Sequence, residues 1–194
     1  MATPARMAGV GVFVLGGSQG TYIYGNVIAN HPEYGVLISA EKGYLAIGTC
    51  QTYYNTISEN SIYNNIFNHC GRAGIVILNR RNEADGNVYV SMPAGYLGFF
   101  ESEAQRWLDL PAWRDSFGWD KNGVPASLSL DFDADKLELT MDGRGLPSVE
   151  VFDQIDTDIF GKPAGNRRAP GPIINPGAGL TRHIDPRVTT EVRK

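Results

Sequence analysis

The feature that most constrains this chain is a short internal repeat in its first half. Segments in which a glycine precedes apolar residues begin at Gly11, Gly35, Gly74 and Gly98, so their glycines are 24, 39 and 24 residues apart. The repeat has no helical spacing, and its β-branched residues alternate beside Asn and Gly. A period in the low twenties with this pattern is typical of a parallel β-solenoid, in which each turn stacks short strands on the turn before.

Asparagine follows the same repeat. Ten of the thirteen asparagines lie between Asn26 and Asn87, and the segment 23–30 matches 57–64. Asparagine tolerates the left-handed backbone of a corner, and its amide can bond to the same amide one coil away. This alignment predicts two ladders: Asn26 with Asn60 and Asn87, and Asn30 with Asn64.

One coil of the predicted solenoid is longer than the others by 15 residues. The alignment places ten of these in the stretch 40–55 and five around 66–70, so that this coil bears two loops. Residues that face inward must be apolar, because the coils above and below cover them. The predicted inward stack is Ile23, Ile28, Val36, Ile38, Ile57, Ile62, Ile75 and Ile77.

The second half of the chain is built differently. Residues 1–100 carry no net charge, whereas 101–194 carry −4. Ser102 is the candidate N-cap of one or two short helices that end at Gly118, and alternation over 128–141 predicts a β-hairpin. Ten of the last 34 residues are Gly or Pro, which indicates an extended tail. We therefore predict coils over 1–100 and a region over 101–194 that caps them.

The predicted solenoid has no cover at its other end. Its first strand begins at Val10, and the nine residues before it cannot form a capping helix. We expect either that the chain is the C-terminal portion of a longer protein or that this face self-associates. The first residues have no apolar run of the kind that forms a signal peptide.

Several segments carry a family resemblance. The segment NTISENSIYNN with GIVIL, the segment 109–120 and the run 158–172 are similar to the coils and the C-terminal ending of right-handed parallel β-helix proteins of the pectate-lyase-like kind. The resemblance implies an all-β, right-handed parallel β-helix of about four coils. It also implies a carbohydrate-active protein that binds a polysaccharide or oligosaccharide and is secreted or periplasmic in its parent form.

The chain contains no high-specificity catalytic motif. The candidate residues are therefore the polar side chains that gather in the coil that bears the two predicted loops. Glycoside hydrolysis, the first hypothesis, needs two carboxyl groups beside the bound sugar. The candidate catalytic residues are Glu41, Glu59, Glu83 and Asp85.

A polysaccharide lyase acting on a uronate polymer is the second hypothesis. It needs a base and a cation that stabilises the enolate. The residues that could serve in these two roles are Lys42, His69, Arg72, Arg80 and Arg81. Together with Tyr53 and Tyr54 they are also the candidate substrate-binding residues. Further tyrosines that could stack on sugars are Tyr22, Tyr24, Tyr34 and Tyr63.

A third hypothesis is a non-catalytic solenoid that binds glycan or spaces domains, in which these charges are solvated corner residues. Net charge of −4 excludes the basic surface that nucleic acid requires, and no apolar run reaches the ~18 residues that a membrane span needs.

We expect no cofactor and no metal. The run that begins at Asp131 imitates a calcium loop, but Lys136 stands where that loop needs glycine. A disulfide between Cys50 and Cys70 remains open.

Overall fold

The computed structural model describes residues 10–15, 18–39, 58–77, 79–92, 96–101, 104–133, 135–151 and 157–184. The fold is mainly β, as predicted. Its strands in the first half are β1 (Val10–Leu15), β2 (Tyr22–Tyr24), β3 (Val27–Ala29), β4 (Tyr34–Ser39), β5 (Ser61–Tyr63), β6 (Ile66–Asn68), β7 (Ala73–Ile77), β8 (Glu83–Asp85), β9 (Val88–Val90) and β10 (Tyr96–Glu101). Then come β11 (Ala104–Leu108), the helix α1 (Leu110–Phe117), β12 (Val124–Ala126), β13 (Leu130–Asp133), β14 (Glu138–Met141), β15 (Val149–Glu150), β16 (Arg167–Arg168) and β17 (Leu180–His183).

The strands of the first half stack into three sheets of parallel strands. Sheet I contains β2, β5 and β8, and sheet II contains β3, β6, β9 and β12. Sheet III contains β1, β4, β7 and β10, to which β11 adds as an antiparallel edge. The chain visits the three sheets in the same order three times, which is a solenoid-like arrangement and confirms the stacked parallel strands that the repeat predicts.

The observed register corrects the predicted alignment. Ile23 pairs with Ile62 and Ile62 with Ala84, so β2 and β5 are offset by 39 residues, as are β3 and β6 and also β4 and β7. Because Gln19 already bridges to Ser58 at the same offset, the whole insertion lies between β4 and Ser58. The second loop predicted around 66–70 does not exist.

Asparagine ladders are present, but their members differ from the prediction. The Asn26 side-chain amide donates to Asn65 Oδ1 at 3.0 Å, Asn65 donates to Asn87 Oδ1 at 3.1 Å, and Asn87 donates to Asp120 Oδ1 at 2.9 Å. Asn60 belongs to a second ladder, in which it donates to Asn82 Oδ1 at 2.8 Å. The predicted alignment was wrong by five residues, because closely spaced asparagines offer several registers that only apolar stacking distinguishes.

The inward stack is confirmed for every predicted residue that the structure describes. Seven of the eight are buried, and Ile57 lies outside the described residues. Phe67, on the middle position of β6, is also fully buried and stacks on the Tyr89 ring at 5.5 Å. The coils therefore enclose a continuous apolar interior.

The end of the coils is closed by an aromatic cluster. Trp113 on α1 is fully buried and contacts Phe117 and Trp119 at ring distances of 5.3 and 5.1 Å. The helix begins after Asp109, whose carboxylate accepts the Ala112 N–H, and ends at Gly118 with a φ of 72°.

Ser102 is therefore not the cap of this helix, whereas the predicted end at Gly118 is confirmed. The intervening residues 104–108 pair with β10 as β11 instead, because an unpaired sheet edge offers them a full ladder of hydrogen bonds.

A three-stranded sheet of the second half covers sheet II. The hairpin of β13 and β14 forms as predicted, and β17 adds to it as a third antiparallel strand. Leu139 and Met141 pack against Ile66 and Val88 on the outer face of sheet II. In the part of the chain that the structure describes, no helix is long and apolar enough to cross a membrane.

Candidate functional site

The outer face of sheet I gathers carboxylates and tyrosines. Ile23, Ile62 and Ala84 belong to the interior cluster, so their neighbours on each strand face outward. In register across the three strands, these outward residues form two rows: Tyr22 with Ser61 and Glu83, and Tyr24 with Tyr63 and Asp85. The two carboxylates thus lie side by side on one short strand.

Glu83 is held by hydroxyl groups. The Ser61 hydroxyl donates to Glu83 Oε1 at 3.0 Å, and the Tyr63 side chain is also hydrogen-bonded to Glu83. Burial, followed by that hydrogen bond and by the charges of Glu83 and Asp85, raises the pKa of Tyr63 well above its usual range. Tyr63 therefore stays a neutral hydroxyl that can donate to a carboxylate or to a bound molecule.

Asp85 is held by a residue from the second half of the chain. The backbone N–H of Asn122 donates to Asp85 Oδ1 at 2.8 Å, and its side-chain amide donates to Oδ2 at 2.7 Å. Asn122 lies in the turn that follows α1. Both carboxylate oxygens of Asp85 are thus held in a defined orientation.

A cavity of about 450 Å³ opens beside these residues. Tyr63, Asn64 and Asp85 line one side, and the segment 147–151 with Arg167 lines the other. The Asn64 amide bridges the two sides by donating to the Glu150 carbonyl at 3.1 Å. The C-terminal region therefore builds one wall of a groove whose other wall is sheet I.

Arg167 supplies a positive charge to this cavity. Its guanidinium donates to the Ser148 hydroxyl at 3.2 Å and to the Ser148 carbonyl. Glu150, on β15, is exposed and lines the same cavity.

Four of the predicted site residues lie outside the described residues: Glu41, Lys42, Tyr53 and Tyr54. Of the remaining carboxylates, the structure brings Glu83 and Asp85 together. Glu59 lies on the corner before β5, where its φ is 60° and its N–H donates to the Arg81 carbonyl at 2.7 Å. Arg81 itself is exposed one coil further on.

The other predicted cations lie on different parts of the coil. His69 follows β6, and its Nδ1 lies 2.9 Å from Asn68 Oδ1. Arg72 forms an ion pair with Glu33 at 3.1 Å and covers the rings of Tyr34 and Trp107.

Arg80 donates to the Ser116 carbonyl at 3.1 Å and lies over the Phe117 ring at 4.7 Å. Its contacts therefore join the coil to the helix that closes it.

Sequence reasoning missed Asn122, Glu150 and Arg167. Each lies in the second half, where the pattern indicated only a cap. Asn122 is 37 residues from Asp85, and no spacing or motif marks their meeting. By contrast, the tyrosines of this face were recognisable, because they stand on short strands beside the asparagine corners.

A further carboxylate, that of Asp120, lies inside the coils. Asp120 is fully buried, its Oδ1 accepts the Asn87 amide groups, and its Oδ2 accepts the Tyr89 hydroxyl at 2.7 Å. Burial raises the pKa of Asp120 to about 6, although these hydrogen bonds oppose the rise. Its place at the end of an asparagine ladder gives it a structural task.

Metal and thiol chemistry have little support in the part of the chain that the structure describes. No group of three or more His, Cys, Asp or Glu side chains there could hold a metal ion. Cys70 is a free, buried thiol, and burial raises its pKa to about 11. The possible disulfide partner, Cys50, lies outside the described residues.

Comparisons with protein-family models, with curated proteins and with solved structures find no match to this chain.

Proposed function

We propose that the protein is a carbohydrate-active, right-handed parallel β-helix that binds a polysaccharide or oligosaccharide in the groove beside sheet I. The handedness is supported by the resemblance of its coils and by the strong preference of parallel crossovers for the right hand. The single observation that carries the proposal is the row of tyrosines and carboxylates on the outer face of sheet I, beside a cavity of about 450 Å³. The resemblance further favours a secreted or periplasmic location.

The groove has the chemistry that sugars require. Tyr22, on the same face of sheet I, is 50% exposed, and its ring offers an aromatic surface on which a sugar can stack. Asp85 lines the cavity together with Asn64 and Asn122, and Glu83 lies next to it on the face of sheet I. Both carboxylates are acceptors for sugar hydroxyls. An open groove along stacked strands suits an extended chain better than a compact ligand.

The same two carboxylates are the best candidates for hydrolysis. Glu83 and Asp85 are separated by one residue on β8, which places their Cα atoms about 6.6 Å apart along the strand with both side chains on the same face. Inverting glycosidases separate their two carboxyl groups by ~6.5–9.5 Å, which leaves room for the attacking water. In this proposal Glu83, which accepts from the hydroxyls of Ser61 and Tyr63, protonates the leaving oxygen, and Asp85, oriented by Asn122, activates the water.

A second candidate is glycan binding without hydrolysis. Its support is that both oxygens of Asp85 already accept hydrogen bonds from Asn122, which leaves this carboxylate less free to move a proton. The predicted cations give a lyase less support, because Arg72 pairs with Glu33 and Arg80 contacts α1 rather than the groove; a lyase would have to use Arg167, which lines the cavity.

The test measures binding and turnover on the same panel of polysaccharides with the full chain. Affinity electrophoresis reports binding, released reducing sugar reports hydrolysis, and ultraviolet absorbance of unsaturated products reports a lyase. We expect Glu83→Gln and Asp85→Asn each to lower hydrolysis by at least about a hundredfold while binding falls far less. Asp115→Asn, an exposed carboxylate on α1, is the control and leaves both unchanged.

Each other outcome has a defined meaning. Binding without products supports the non-catalytic candidate, and unsaturated products support the lyase. Failure to bind any glycan of the panel contradicts the proposal.

A further inference from the structure

One short turn, residues 120–123, contacts both the groove carboxylate Asp85 and the end of the asparagine ladder. Asp120, at the start of this turn, accepts the Asn87 N–H and side-chain amide at 3.1 and 2.9 Å, as the last acceptor of the ladder. Asn122, two residues on, donates twice to Asp85 on the outer face. One end of the turn is therefore inside the solenoid and the other lies at the groove.

The turn is held from several directions. The Gly123 N–H donates to the Asp120 carbonyl at 3.1 Å, and the Asp120 N–H donates to the Ala84 carbonyl at 2.7 Å. Arg114, on α1, donates to the carbonyls of Asp120 and Gly123. Ala84 lies between the two groove carboxylates, so the turn is bonded to β8 through the Ala84 backbone carbonyl and through the Asp85 side chain.

The backbone of this turn restricts which residues can occupy it. Asp120 has a φ of 48°, in the left-handed region that costs a residue other than glycine some strain. A Cβ built on Gly123 would lie 2.7 Å from Asp120 Oδ1 and 3.0 Å from the Asn87 carbonyl, so only glycine fits there. The ladder thus dictates the path of the turn and, through it, the place of Asn122.

We infer that Asn122 is a positioning residue for Asp85, and that the end of the asparagine ladder, through the turn 120–123 and Arg114, sets the orientation of this groove carboxylate. The inference rests on the proposed function for its effect on sugars. Its structural part, the orientation of Asp85, stands separately. Among the described contacts, Asn122 is the residue that donates to Asp85. Loss of its side chain leaves Asp85 Oδ2 without this donor, while the backbone N–H of residue 122 still holds Oδ1 as long as the turn keeps its shape.

The first experiment measures the orientation of Asp85 without any glycan. Three-bond NMR couplings report how many χ1 rotamers the Asp85 side chain occupies. We expect one rotamer in the natural chain and partly averaged couplings in Asn122→Ala, which loses the side-chain donor and keeps the backbone donor. Arg114→Ala, which loosens the turn, should average them as well. The matched control is Lys121→Ala, since the Lys121 ammonium turns back towards Gly118.

The second experiment measures the effect on sugars. In a chain that hydrolyses glycan, Asn122→Ala should lower kcat about ten- to a hundredfold while KM changes less than threefold. In a chain that only binds, the same change should weaken the Kd about three- to tenfold. Asn122→Ser, whose hydroxyl is a shorter donor, should recover part of either loss.

The outcomes separate the two ideas. A single Asp85 rotamer in both Asn122→Ala and Arg114→Ala overturns the inference, whether or not a glycan binds. Averaged rotamers in a chain that binds no glycan support the positioning and contradict the proposed function. Unchanged glycan turnover in Asn122→Ala, in a protein whose Asp85→Asn variant loses turnover by about a hundredfold or more, also overturns the inference.

Discussion

The coils and the C-terminal region stabilise themselves in opposite ways. In the coils each side chain meets its equivalent one turn away, as Ile23 meets Ile62 and Asn65 meets Asn87. In the C-terminal region the contacts do not repeat from one turn of the chain to the next. For example, the Arg168 guanidinium is fully buried and donates to the carbonyls of Ala169, Thr157 and Gly171. Repetition therefore builds the scaffold, and unique contacts build the wall of the groove.

The largest expected effect comes from breaking the repeated core. Phe67 is fully buried between coils, and Phe67→Ala should lower the free energy of unfolding by about 3–5 kcal/mol, through lost burial and a new cavity. Denaturant unfolding followed by circular dichroism measures it. Phe132→Ala, at an exposed position of the hairpin, is the control. A loss below about 1 kcal/mol would show that the coils do not depend on continuous stacking.

The end of the ladder should make stability depend on pH. The pKa of Asp120 is raised from 3.8 to about 6, so between these values the folded chain binds a proton that the unfolded chain has released. Stability contributed by this group is complete below pH 3.8 and is lost as pH rises through about 6, by an amount on the order of 3 kcal/mol.

Unfolding at several pH values between 4 and 7 measures this slope. In Asp120→Asn the amide oxygen can still accept from Asn87, so we expect the slope to flatten while the fold persists. The exposed Asp131→Asn serves as the control. An unchanged slope in Asp120→Asn would assign the pH dependence to other groups.

A change to a unique contact should have a smaller and more local effect. Arg168→Met removes the donors to three carbonyls and should cost about 2 kcal/mol. Hydrogen exchange should show lost protection around 157–174 with the coils unaffected, because no coil position repeats this contact. Arg182→Met, on the exposed strand β17, is the matched control. Lost protection throughout the coils would erase the distinction between the two regions.

The smallest effect is expected from a surface ion pair on the coils. Arg72 and Glu33 are 3.1 Å apart, and both side chains are largely exposed. Glu33→Gln should change stability by no more than ~0–1 kcal/mol, since water and salt screen such pairs. Thermal unfolding at low and high salt measures it. A larger loss would mean that the guanidinium of Arg72 over Tyr34 and Trp107 depends on this partner.

Much of the fold was predictable because it repeats. The stacked parallel strands, the inward isoleucines, the hairpin and the end of the helix at Gly118 each follow from a local pattern with one physical solution. The ladder partners did not, because Asn60, Asn64 and Asn65 are equally able to bond across a coil. Only the packing of Ile62 over Ile23 selects among them.

The start of the helix depends on a competition between helix formation and strand pairing, which the local sequence pattern does not show. Residues 104–108 have helical spacing, yet the unpaired edge of β10 offers them five paired positions. A sheet edge is created by residues elsewhere in the chain. The segment can pair with this edge only when the coils that form the edge are in place.

The residues of the candidate site also fall into two groups: those that a local sequence pattern relates and those that only the tertiary structure brings together. Glu83 and Asp85 share a face because they stand two residues apart on a strand, which the sequence by itself determines once β8 is recognised. Only the tertiary structure decided that Asn122 holds Asp85 and that the segment 147–151 with Arg167 closes the groove. The physical reason is distance along the chain: periodicity relates neighbours and successive coils, whereas a contact across 37 residues depends on where the whole chain returns.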